Sequence, residues 1–315
     1  MKIASIILTY NDFEKTKKSI NSLIESNLPN DIEHFIIVID NGSSDKYIEG
    51  LKNLQKNYSN FEKIKFIFNK ENLGFSGGNN VGISYALEKI NADAVLLINN
   101  DAYLEKNTLN ELLNFLFSDP NIGIVGPTIC YYGNKDKIWH GGGFFKILKM
   151  GIINVGKNKS FDEISKMQPI EVDFISLCVA LIKKEVFEKI GFLDQNFFLY
   201  YDDTDFCYRA KKAGFKLIYI PHLRAYHDID EIYISRATPM RLYYLARSYF
   251  IFVKKHFNII LVFYSLILFI FLYTPFRIIQ MIKGKQPILK GLLFHFKGAR
   301  DGLFFQKTLW EKTKK

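Results

Sequence analysis

The apolar run at residues 93–98 ends in Asn99, Asn100 and Asp101, so a carboxylate stands at the tip of a strand suited to a buried sheet. A carboxylate beside two amides can bind a hard divalent cation that keeps several waters and shares phosphate oxygens. The structural alternative is that Asp101 caps a helix beginning near Glu105. This stretch alone leaves both interpretations open.

A second acidic group, "DDTD", occupies residues 202–205. Closely spaced carboxylates raise one another's pKa, which lets one of them act as a general base near neutral pH. A solvated helix face is the alternative, but the preceding "FFLYY" at residues 197–201 favours burial. The segment 197–214 therefore predicts a loop that enters a helix, capped by Thr204 or Asp202 and ended by Gly214.

Strand-like runs alternate with helix-length segments in the first hundred residues. The strands are predicted at 3–9, 34–40, 64–68 and 93–99, and the helices at 13–26, 45–57 and 77–90. Continuous apolar runs between polar turns favour strands buried on both faces, which join into a parallel sheet through right-handed βαβ units. Because ligands bind beyond the carboxyl ends of such strands, the polar strand tips predict one crevice.

Two turns at these tips suit a nucleotide. Asp40 can accept from a base N–H or a ribose hydroxyl, and Gly42 permits a tight turn before a helix capped by Ser44 or Asp45. A glycine-rich stretch, residues 74–78, lets backbone approach a ligand at a helix N-terminus. Its spacing is not G-x-G-x-x-G, so the stretch indicates a nucleotide site only in combination with Asp40 and Asp101.

From about 120 to 170 the pattern becomes irregular and predicts short strands and a mobile loop. Trp139 and His140 precede three glycines at 141–143 and could close over a bound sugar, or form a surface loop without a role. A helix is predicted at 183–190. A strand at 215–221 then leads to His222 and His227, and no internal repeat is visible.

The C-terminal part differs in composition. Residues 258–282 include 15 consecutive apolar positions if Tyr and Ser are allowed, which is near the lower limit for crossing a bilayer. Basic residues flank both ends, and from Pro275 onward ten Lys or Arg oppose two acids. The positive-inside tendency would keep both basic flanks on the cytosolic side of the membrane, which a single span cannot do. It therefore favours a re-entrant hairpin bent near Pro275 or a helix lying in the interface. A buried core helix is the alternative.

The remaining composition limits the partners and the compartment. The net charge of +10 indicates an anionic partner. Because the charge lies beside the apolar stretch, nucleic acid is excluded in favour of a membrane surface. Cys130, Cys178 and Cys207 show no metal-ligand spacing and suit a reduced cytosolic chain. The N-terminal apolar run is too short for a signal peptide, so export is not expected.

Several stretches in one order resemble family 2 glycosyltransferases, especially the bacterial rhamnosyltransferase-like branch. They are "SIILTYND", "IIVIDNGSSD", "NKENLGFSGGNNVGI", "VLLINNDAYL", "VDFISLCVALIKKEVFEKIGFLDQNFFLYYDDTDFCYRAKKAGFKLIYIP", "AYHD" and "RLYYLARS", covering residues 3 to about 250. The resemblance implies a GT-A fold, which is an α/β Rossmann-like, mostly parallel sheet with flanking helices. It further implies a nucleotide-diphospho-sugar donor, a divalent metal (Mg²⁺ or Mn²⁺) and inversion at the sugar carbon.

The resemblance also assigns roles on the donor side. The nucleotide-sugar residues would be Thr9, Tyr10, Asn11, Asp40, Asn72, Gly74, Gly77, Asn79, Asn100 and Arg247. Asp101 takes the place of the last, metal-binding aspartate of the family's DxD-type motif, which is reduced here to one carboxylate. His227 is the natural second metal ligand. Arg236, Arg241 or Arg247 would add positive charge near the diphosphate.

On the acceptor side, "DDTD" matches the family's Glu-Asp-x-Asp. Asp203 would be the catalytic base, Asp202 and Asp205 would bind the acceptor, and Asp205 would also fix the acceptor loop through Arg209. Trp139 would also bind the acceptor. Leu177-Cys178 departs from the Gly-Ala that relatives often carry beside the acceptor, which would alter acceptor shape.

The sequence therefore predicts a GT-A catalytic domain at 1–240, with a nucleotide-sugar half at 1–120 and an acceptor half at 121–240. Residues 241–315 would form a helical membrane-associating region. The expected enzyme works at the cytoplasmic face of the bacterial inner membrane on a lipid-linked glycan, with the oligomeric state, including a homo-oligomer, left open. The alternatives are a nucleotidyltransferase or a membrane-anchored nucleotide-binding protein.

Overall fold

A computed structural model describes residues 1–229 and 237–304. The strands are β1 (Lys2–Thr9), β2 (Glu33–Asp40), β3 (Ile64–Phe68), β4 (Ala94–Asn99), β5 (Ala102–Leu104), β6 (Ile122–Tyr131), β7 (Asn134–Lys146), β8 (Gly151–Val155), β9 (Ile170–Val172), β10 (Val179–Lys183) and β11 (Lys216–His227). The helices of the first 229 residues are α1 (Phe13–Ile24), α2 (Asp45–Asn57), α3 (Gly74–Ser84), α4 (Thr108–Ser118), α5 (Phe161–Ile164), α6 (Lys184–Ile190) and α7 (Asp202–Lys212).

The central sheet has the order β3-β2-β1-β4-β10-β6-β11-β5. β3, β2, β1 and β4 are mutually parallel, and β10 runs antiparallel between β4 and β6. Apolar side chains on both faces of β1, β2 and β4 enter two separate core clusters, which is why these strands are continuously hydrophobic. The predicted parallel arrangement of these four strands is confirmed. The helix predicted from 77 begins three residues earlier, at Gly74, and ends in a π-helical segment, Tyr85–Ile90.

The short strands expected at 120–170 are present, but they pair with one another where a mobile loop was also expected. β6 pairs antiparallel with β7, and β7 forms a hairpin with β8. The interpretation as a loop was wrong because the three glycines serve close strand packing. A Cβ at Gly141 would lie 2.6 Å from the Tyr219 hydroxyl, and one at Gly142 would lie 2.7 Å from Tyr219 Cβ.

Beyond the gap, the chain is helical: α8 (Pro239–His256), α9 (Ile259–Leu268), a π-helical segment (Phe269–Tyr273), α10 (Thr274–Lys283) and α11 (Ile288–Leu303). In the described part of the chain, one helix is long and apolar enough to cross a membrane; it runs without a break from Ile259 to Lys283. The hairpin bend predicted near Pro275 is therefore wrong, since the π-helical turn accommodates the proline. Only 22% of the most apolar window of this helix is buried, which argues against a core helix.

Helix α11 packs along α8 through small residues. A Cβ on Gly298 would lie 2.2 Å from the Tyr243 carbonyl oxygen, and one on Gly302 would lie 2.3 Å from the Arg247 carbonyl oxygen. Backbone-to-backbone approach at these two glycines fixes α11 against the body of the protein. Arg236 and the basic residues after 304 lie outside the described residues.

Candidate active site

A cavity of about 550 Å³ opens at the carboxyl ends of the central strands. The cavity is lined by the two residues predicted to bind metal, Asp101 and His227, and by the acidic residues Asp202 and Asp203. Its walls also include Phe75, Asn99, Trp139, His140, Ile152, Asn154, Ser176, Cys178, Tyr200, Tyr201, Arg241 and Leu245. Residues about a hundred positions apart in sequence thus share one chamber.

Asp101 and His227 meet because β5 pairs antiparallel with β11, with Ala102 opposite His227. The His227 Nε2 and Asp101 Oδ1 atoms are 3.0 Å apart. The backbone N–H of Asp228 donates to the Asp101 carbonyl oxygen at 2.7 Å, which holds the turn. The helix-capping alternative for Asp101 is wrong, since α4 begins at Thr108 and its N-cap position is Asn107.

The electrostatics of this pair favour an ionised carboxylate. Burial opposes ionisation of Asp101, but the hydrogen bond and charge of His227, with Lys15, keep the pKa of Asp101 below its usual value. Burial would also lower the pKa of His227, yet interactions with Cys178 and Asp101 raise it. The Trp139 ring packs edge-on against the imidazole, with centroids 4.4 Å apart, and fixes its plane.

The donor atoms here suit a cation that protein and substrate hold jointly. His227 Nδ1 is buried and completes no hydrogen bond, and Asp101 is a quarter exposed to the cavity. Within the described residues, no group of three or more His, Cys, Asp or Glu side chains could hold a metal. One carboxylate and one imidazole leave the other coordination positions for diphosphate oxygens and water, as Mg²⁺ and Mn²⁺ commonly require.

The acceptor side is built on a strained turn into α7. Tyr200 and Tyr201 have φ angles of 65° and 62°, and Tyr201 takes the N-cap position in place of the predicted Thr204 or Asp202. Asp202 and Asp203 become the first residues of the helix and face the cavity. Strained backbone of this kind is common at functional sites.

Burial of Asp203 raises the pKa of its carboxyl to about 6, although hydrogen bonds from Thr204 oppose the shift. Burial and the charge of Asp203 raise the pKa of Asp202 well above its usual value. The Thr204 backbone N–H donates to Asp203 Oδ1 at 2.8 Å and orients the carboxylate. The pair therefore combines a group able to accept a proton near neutral pH with a neighbour whose burial favours its protonated form.

Asp205 does not line the cavity, and its predicted acceptor contact needs correction. Its carboxylate is fully buried and is bound by Arg209 Nε at 2.8 Å, Lys255 Nζ at 2.8 Å and His256 Nε2 at 2.7 Å. The contact with Arg209 matches the expected one, but the two partners from α8 were not foreseen. Asp205 thus ties α7, the helix that carries Asp202 and Asp203, to α8.

The nucleotide-side residues gather at the tips of β1, β2 and β3, around Asn41, which sequence reasoning missed. Its Nδ2 donates to Asn72 Oδ1 and to the Gly74 carbonyl oxygen, both at 3.0 Å, and its Oδ1 accepts from the Leu73 N–H at 3.1 Å. Gly42 and Gly74 have φ angles of 73°, so the turn expected at Gly42 is confirmed. A Cβ at Gly77 would lie 2.8 Å from Leu73 Cβ, and Asn79 Nδ2 donates to the Phe75 carbonyl oxygen at 3.0 Å.

The other donor-side residues lie beside these turns. The Asn11 N–H donates to Ser43 Oγ at 2.8 Å, and the Ser43 N–H lies 3.3 Å from both Asp40 carboxylate oxygens. Thr9 is buried and donates to the Asp12 carbonyl oxygen. The further predicted positions are Tyr10, which is exposed, and Asn100, whose Nδ2 is 3.5 Å from Thr16 Oγ1.

Two arginines differ in position. Arg247 is almost fully buried in α8 and donates from Nη1 to the Asn196 carbonyl oxygen at 2.7 Å, away from the cavity wall, so the structure contradicts its predicted nucleotide contact. Arg241, one and a half turns earlier on the same helix, lines the cavity.

Sequence reasoning assigned no role to Lys15 or Asp228. Lys15 Nζ lies 3.9 Å from an Asp228 carboxylate oxygen beside the Asp101 turn.

The sequence profile of glycosyl transferase family 2 matches residues 5–191. The chain belongs to this family. Residues 5–191 hold Asp101 and the β1–β4 strand tips, while α7 and His227 lie beyond that range. The proposed resemblance to the family is therefore confirmed.

Among characterised relatives, the chain is 25% identical to the dTDP-rhamnosyl transferase RfbF of Shigella flexneri over 312 residues, which cover 96% of this chain and 95% of RfbF. It is 28% identical to the rhamnosyltransferase WbbL of Escherichia coli K12 over 66% of this chain and 78% of WbbL. It is 29% identical to the low-salt glycan biosynthesis hexosyltransferase Agl10 of Haloferax volcanii over 58% of this chain. That alignment spans only about half, 54%, of Agl10.

Solved structures of similar fold include the mannosyltransferase PcManGT from Pyrobaculum calidifontis, in complex with GDP-Man and Mn²⁺. Its TM-score is 0.58 at 13% identity, covering 97% of this chain and 88% of that one. GalNAc-T7 with UDP, GalNAc and Mn²⁺ also gives 0.58 at 18% identity, covering 72% of this chain and 43% of that one. The GT-A fold class predicted from the sequence is confirmed.

Proposed function

We propose that this glycosyltransferase moves a sugar from dTDP-rhamnose or a UDP-sugar to a hydroxyl of a lipid-linked glycan, with inversion at the anomeric carbon. The observation that carries the proposal is the single cavity lined by both the Asp101–His227 pair and the Asp202–Asp203 pair. The relationship to RfbF and WbbL along most of the chain supports rhamnose as the donor sugar. The product would be part of a bacterial surface polysaccharide.

On the donor side, Asp101 and His227 would hold a divalent cation. When bound, the cation neutralises the charge that gathers on the departing nucleoside diphosphate. Arg241 and Lys15 add positive charge along the same edge, since one lines the cavity and the other acts on Asp101. The turns around Asn41 give the nucleotide a preformed rim, because their backbone is already fixed by side-chain hydrogen bonds.

On the acceptor side, Asp203 takes the proton of the acceptor hydroxyl as that oxygen bonds to the anomeric carbon and the bond to the diphosphate breaks. Direct displacement by the acceptor oxygen from the face opposite the leaving group gives inversion. Asp202 lines the cavity beside Asp203, and burial favours its protonated form, which can donate a hydrogen bond to the acceptor sugar. Trp139 has its ring against His227, so its part is to position that imidazole and to shape the cavity wall.

The domain division at 1–240 and 241–315 and the membrane-bound location belong to the same proposal. The exposed apolar helix Ile259–Lys283 supports association with a membrane. In the proposal, this membrane is the inner membrane and the enzyme binds its cytoplasmic face. The cavity wall crosses the domain boundary, because Arg241 and Leu245 of α8 contribute to it. The helical region would therefore serve the site as well as the membrane.

The test is to incubate the purified full chain with Mg²⁺ or Mn²⁺, a panel of nucleotide sugars and a lipid-linked acceptor extract, and to measure nucleoside diphosphate release. We expect release from dTDP-rhamnose or one UDP-sugar, dependent on the cation and lost in Asp203→Asn. Analysis of the product anomer checks inversion. Equal release by wild type and Asp203→Asn, or release from no donor, would overturn the proposal.

A further inference from the structure

The helix Ile259–Lys283 presents two unlike faces. Its buried positions are Val262, Ser265, Phe269, Thr274 and Met281, a stripe that packs on the body of the protein. The opposite side carries large exposed apolar residues: Ile259, Ile260, Phe263, Ile267, Ile270, Phe271, Leu272, Phe276, Ile279 and Ile282. Exposed apolar patches of this extent are characteristic of an interaction surface.

A second element joins this apolar face. The tip of the β7–β8 hairpin exposes Ile147 and Leu148, the latter with 76% of its surface accessible. Two helix tyrosines hold the tip: Tyr264 Oη donates to the Leu148 carbonyl oxygen at 2.8 Å, and Tyr273 donates to that of Lys149. Because Met150, the next residue, is buried in the cluster with Phe269, the tip cannot swing away without losing packing.

The charge around this surface is of one sign. Residues 237–300 contain ten Lys or Arg and no Asp or Glu. Lys283, Lys285 and Lys290 are exposed at the turn between α10 and α11, and Lys146 and Lys149 flank the hairpin tip. Apolar side chains bordered by lysines match a bilayer with anionic headgroups, to which juxtaposed Lys and Arg side chains are attracted.

The connections at the two ends of the helix decide its orientation. The helix follows α8 after the two residues 257–258, and only residues 284–287 separate it from α11, which packs back on α8. Four extended residues reach about 14 Å, far short of the roughly 30 Å hydrocarbon core. A helix with both ends attached to one body on one side cannot cross the bilayer.

We propose that the apolar face of the helix Ile259–Lys283 and the hairpin tip Ile147–Leu148 insert together into one leaflet of an anionic membrane, with the helix parallel to its plane. The proposal deepens the proposed function, on which it rests. The hairpin strands that end at this tip also carry Trp139, His140, Ile152 and Asn154 of the cavity wall. Ile152, on β8, follows Leu148 by four residues, which span at most about 14 Å, so the cavity lies within reach of an acceptor anchored among the headgroups.

Insertion is tested by placing an environment-sensitive fluorophore on the full chain at Leu148→Cys, Ile260→Cys or Ile282→Cys, with Phe61→Cys at the amino edge of the sheet as the control. The three native cysteines are buried, so labelling is selective. On adding phosphatidylglycerol–phosphatidylethanolamine vesicles, we expect blue shifts at the three surface positions and none at Phe61. Depth-dependent lipid quenchers should place all three at a similar shallow depth in the outer leaflet. A label at Ile260 or Ile282 in the opposite leaflet, or no shift at Leu148, would overturn the proposal.

A second experiment compares Ile147→Ser/Leu148→Ser with the control pair Ile24→Ser/Phe61→Ser, which removes two other exposed apolar side chains, one at the end of α1 and one before β3. We expect the hairpin variant to bind the same vesicles about tenfold more weakly, since two apolar side chains no longer enter the lipid, and the control pair to bind normally. Transfer to a detergent-solubilised acceptor should be unchanged in both. If the wild type transferred no sugar to the solubilised acceptor, the proposed reaction would be refuted. If transfer were normal and both variants bound vesicles equally well, only the hairpin insertion would be refuted.

Discussion

The donor side and the acceptor side of the cavity are held in place by different means. On the donor side, the turns after β1, β2 and β3 are fixed by short-range hydrogen bonds centred on Asn41. On the acceptor side, helix α7, which carries Asp202 and Asp203, is fixed by a buried cluster in which Asp205 binds Arg209 of α7 and Lys255 and His256 of α8. The first depends on neighbouring strand tips, and the second on a helix fifty residues further along the chain.

This difference teaches that the C-terminal helices belong to the catalytic site. Helix α8 supplies Arg241 and Leu245 to the cavity wall and Lys255 and His256 to the ion cluster. It also carries α11, which packs against it at Gly298. Damage to the C-terminal helices should therefore lower the rate of sugar transfer to the acceptor, while the nucleotide rim stays intact.

The largest effect is expected for Asp203→Asn, which removes the base and keeps the shape of the side chain. Transfer should fall about 100- to 10,000-fold. Asp162→Asn, at an exposed carboxylate on α5, is the control and should retain full activity. A loss of less than tenfold in the Asp203 variant would remove that residue from the role of base and leave the acceptor side undefined.

Next in size is Asp205→Ala, which leaves Arg209, Lys255 and His256 without their shared counter-ion. We expect the free energy of unfolding to fall by about 3–5 kcal/mol in denaturant titrations. Glu188→Ala breaks the exposed pair with Lys184, whose atoms are 3.6 Å apart, and should cost under about 1 kcal/mol. Equal losses in the two variants would show that the cluster does not hold α7 to α8.

The same cluster predicts an acid dependence of stability. Burial would raise the pKa of Asp205, but His256, Arg209 and Lys255 lower it to about 2. A depressed pKa contributes stability that is fully present above the unfolded value of about 4 and is lost as the pH falls toward 2. Wild-type unfolding free energy should drop across this window by more than that of Asp205→Asn.

A smaller effect is expected for Gly298→Ala, which places a methyl group against the Tyr243 carbonyl oxygen of α8. Overpacking of this kind costs about 1–3 kcal/mol. Gly133→Ala is the matched control, because nothing lies within 4 Å of its new Cβ. If thermal unfolding showed no difference between the two, close packing of α11 on α8 would not be needed for stability.

The smallest effect concerns pH and activity. Burial raises the pKa of Asp203 to about 6, and only the ionised form can accept a proton. The ratio kcat/KM should therefore rise about tenfold per pH unit below 6 and level off above it. The residual activity of Asp203→Asn should lack this limb. A wild-type profile that is flat between pH 5 and 7 would contradict the assignment.

The sequence allowed the donor side to be predicted more fully than the acceptor side. Strands β1 to β4 follow from continuous apolar runs, whereas the pairing of Asp101 with His227 was expected from the family resemblance. The β7–β8 hairpin was missed because its glycines resemble loop signals but serve contact with Tyr219. The cations that bind Asp205 were missed because no local pattern links position 205 to positions 255 and 256.

The role of Asn41 and the contact of Cys178 with His227 were missed for a related reason. Asn41 looks like any polar turn residue, and its role appears only when the tips of three strands meet around it. Cys178 looks like a small buried residue, and its place beside His227 depends on the antiparallel entry of β10 between β4 and β6. Contacts that the sheet order creates are not encoded within a sequence window.

The central claim is that one cavity has a donor side, at Asp101, and an acceptor side, at Asp203, and that the two residues have different tasks. The most direct test is calorimetric titration of the donor's nucleoside diphosphate, with and without Mn²⁺, into wild type, Asp101→Asn and Asp203→Asn. The account predicts that Asp101→Asn loses the cation-dependent part of the affinity and that Asp203→Asn binds within about twofold of wild type. Wild-type affinity in Asp101→Asn, or an equal loss in both variants, would contradict it.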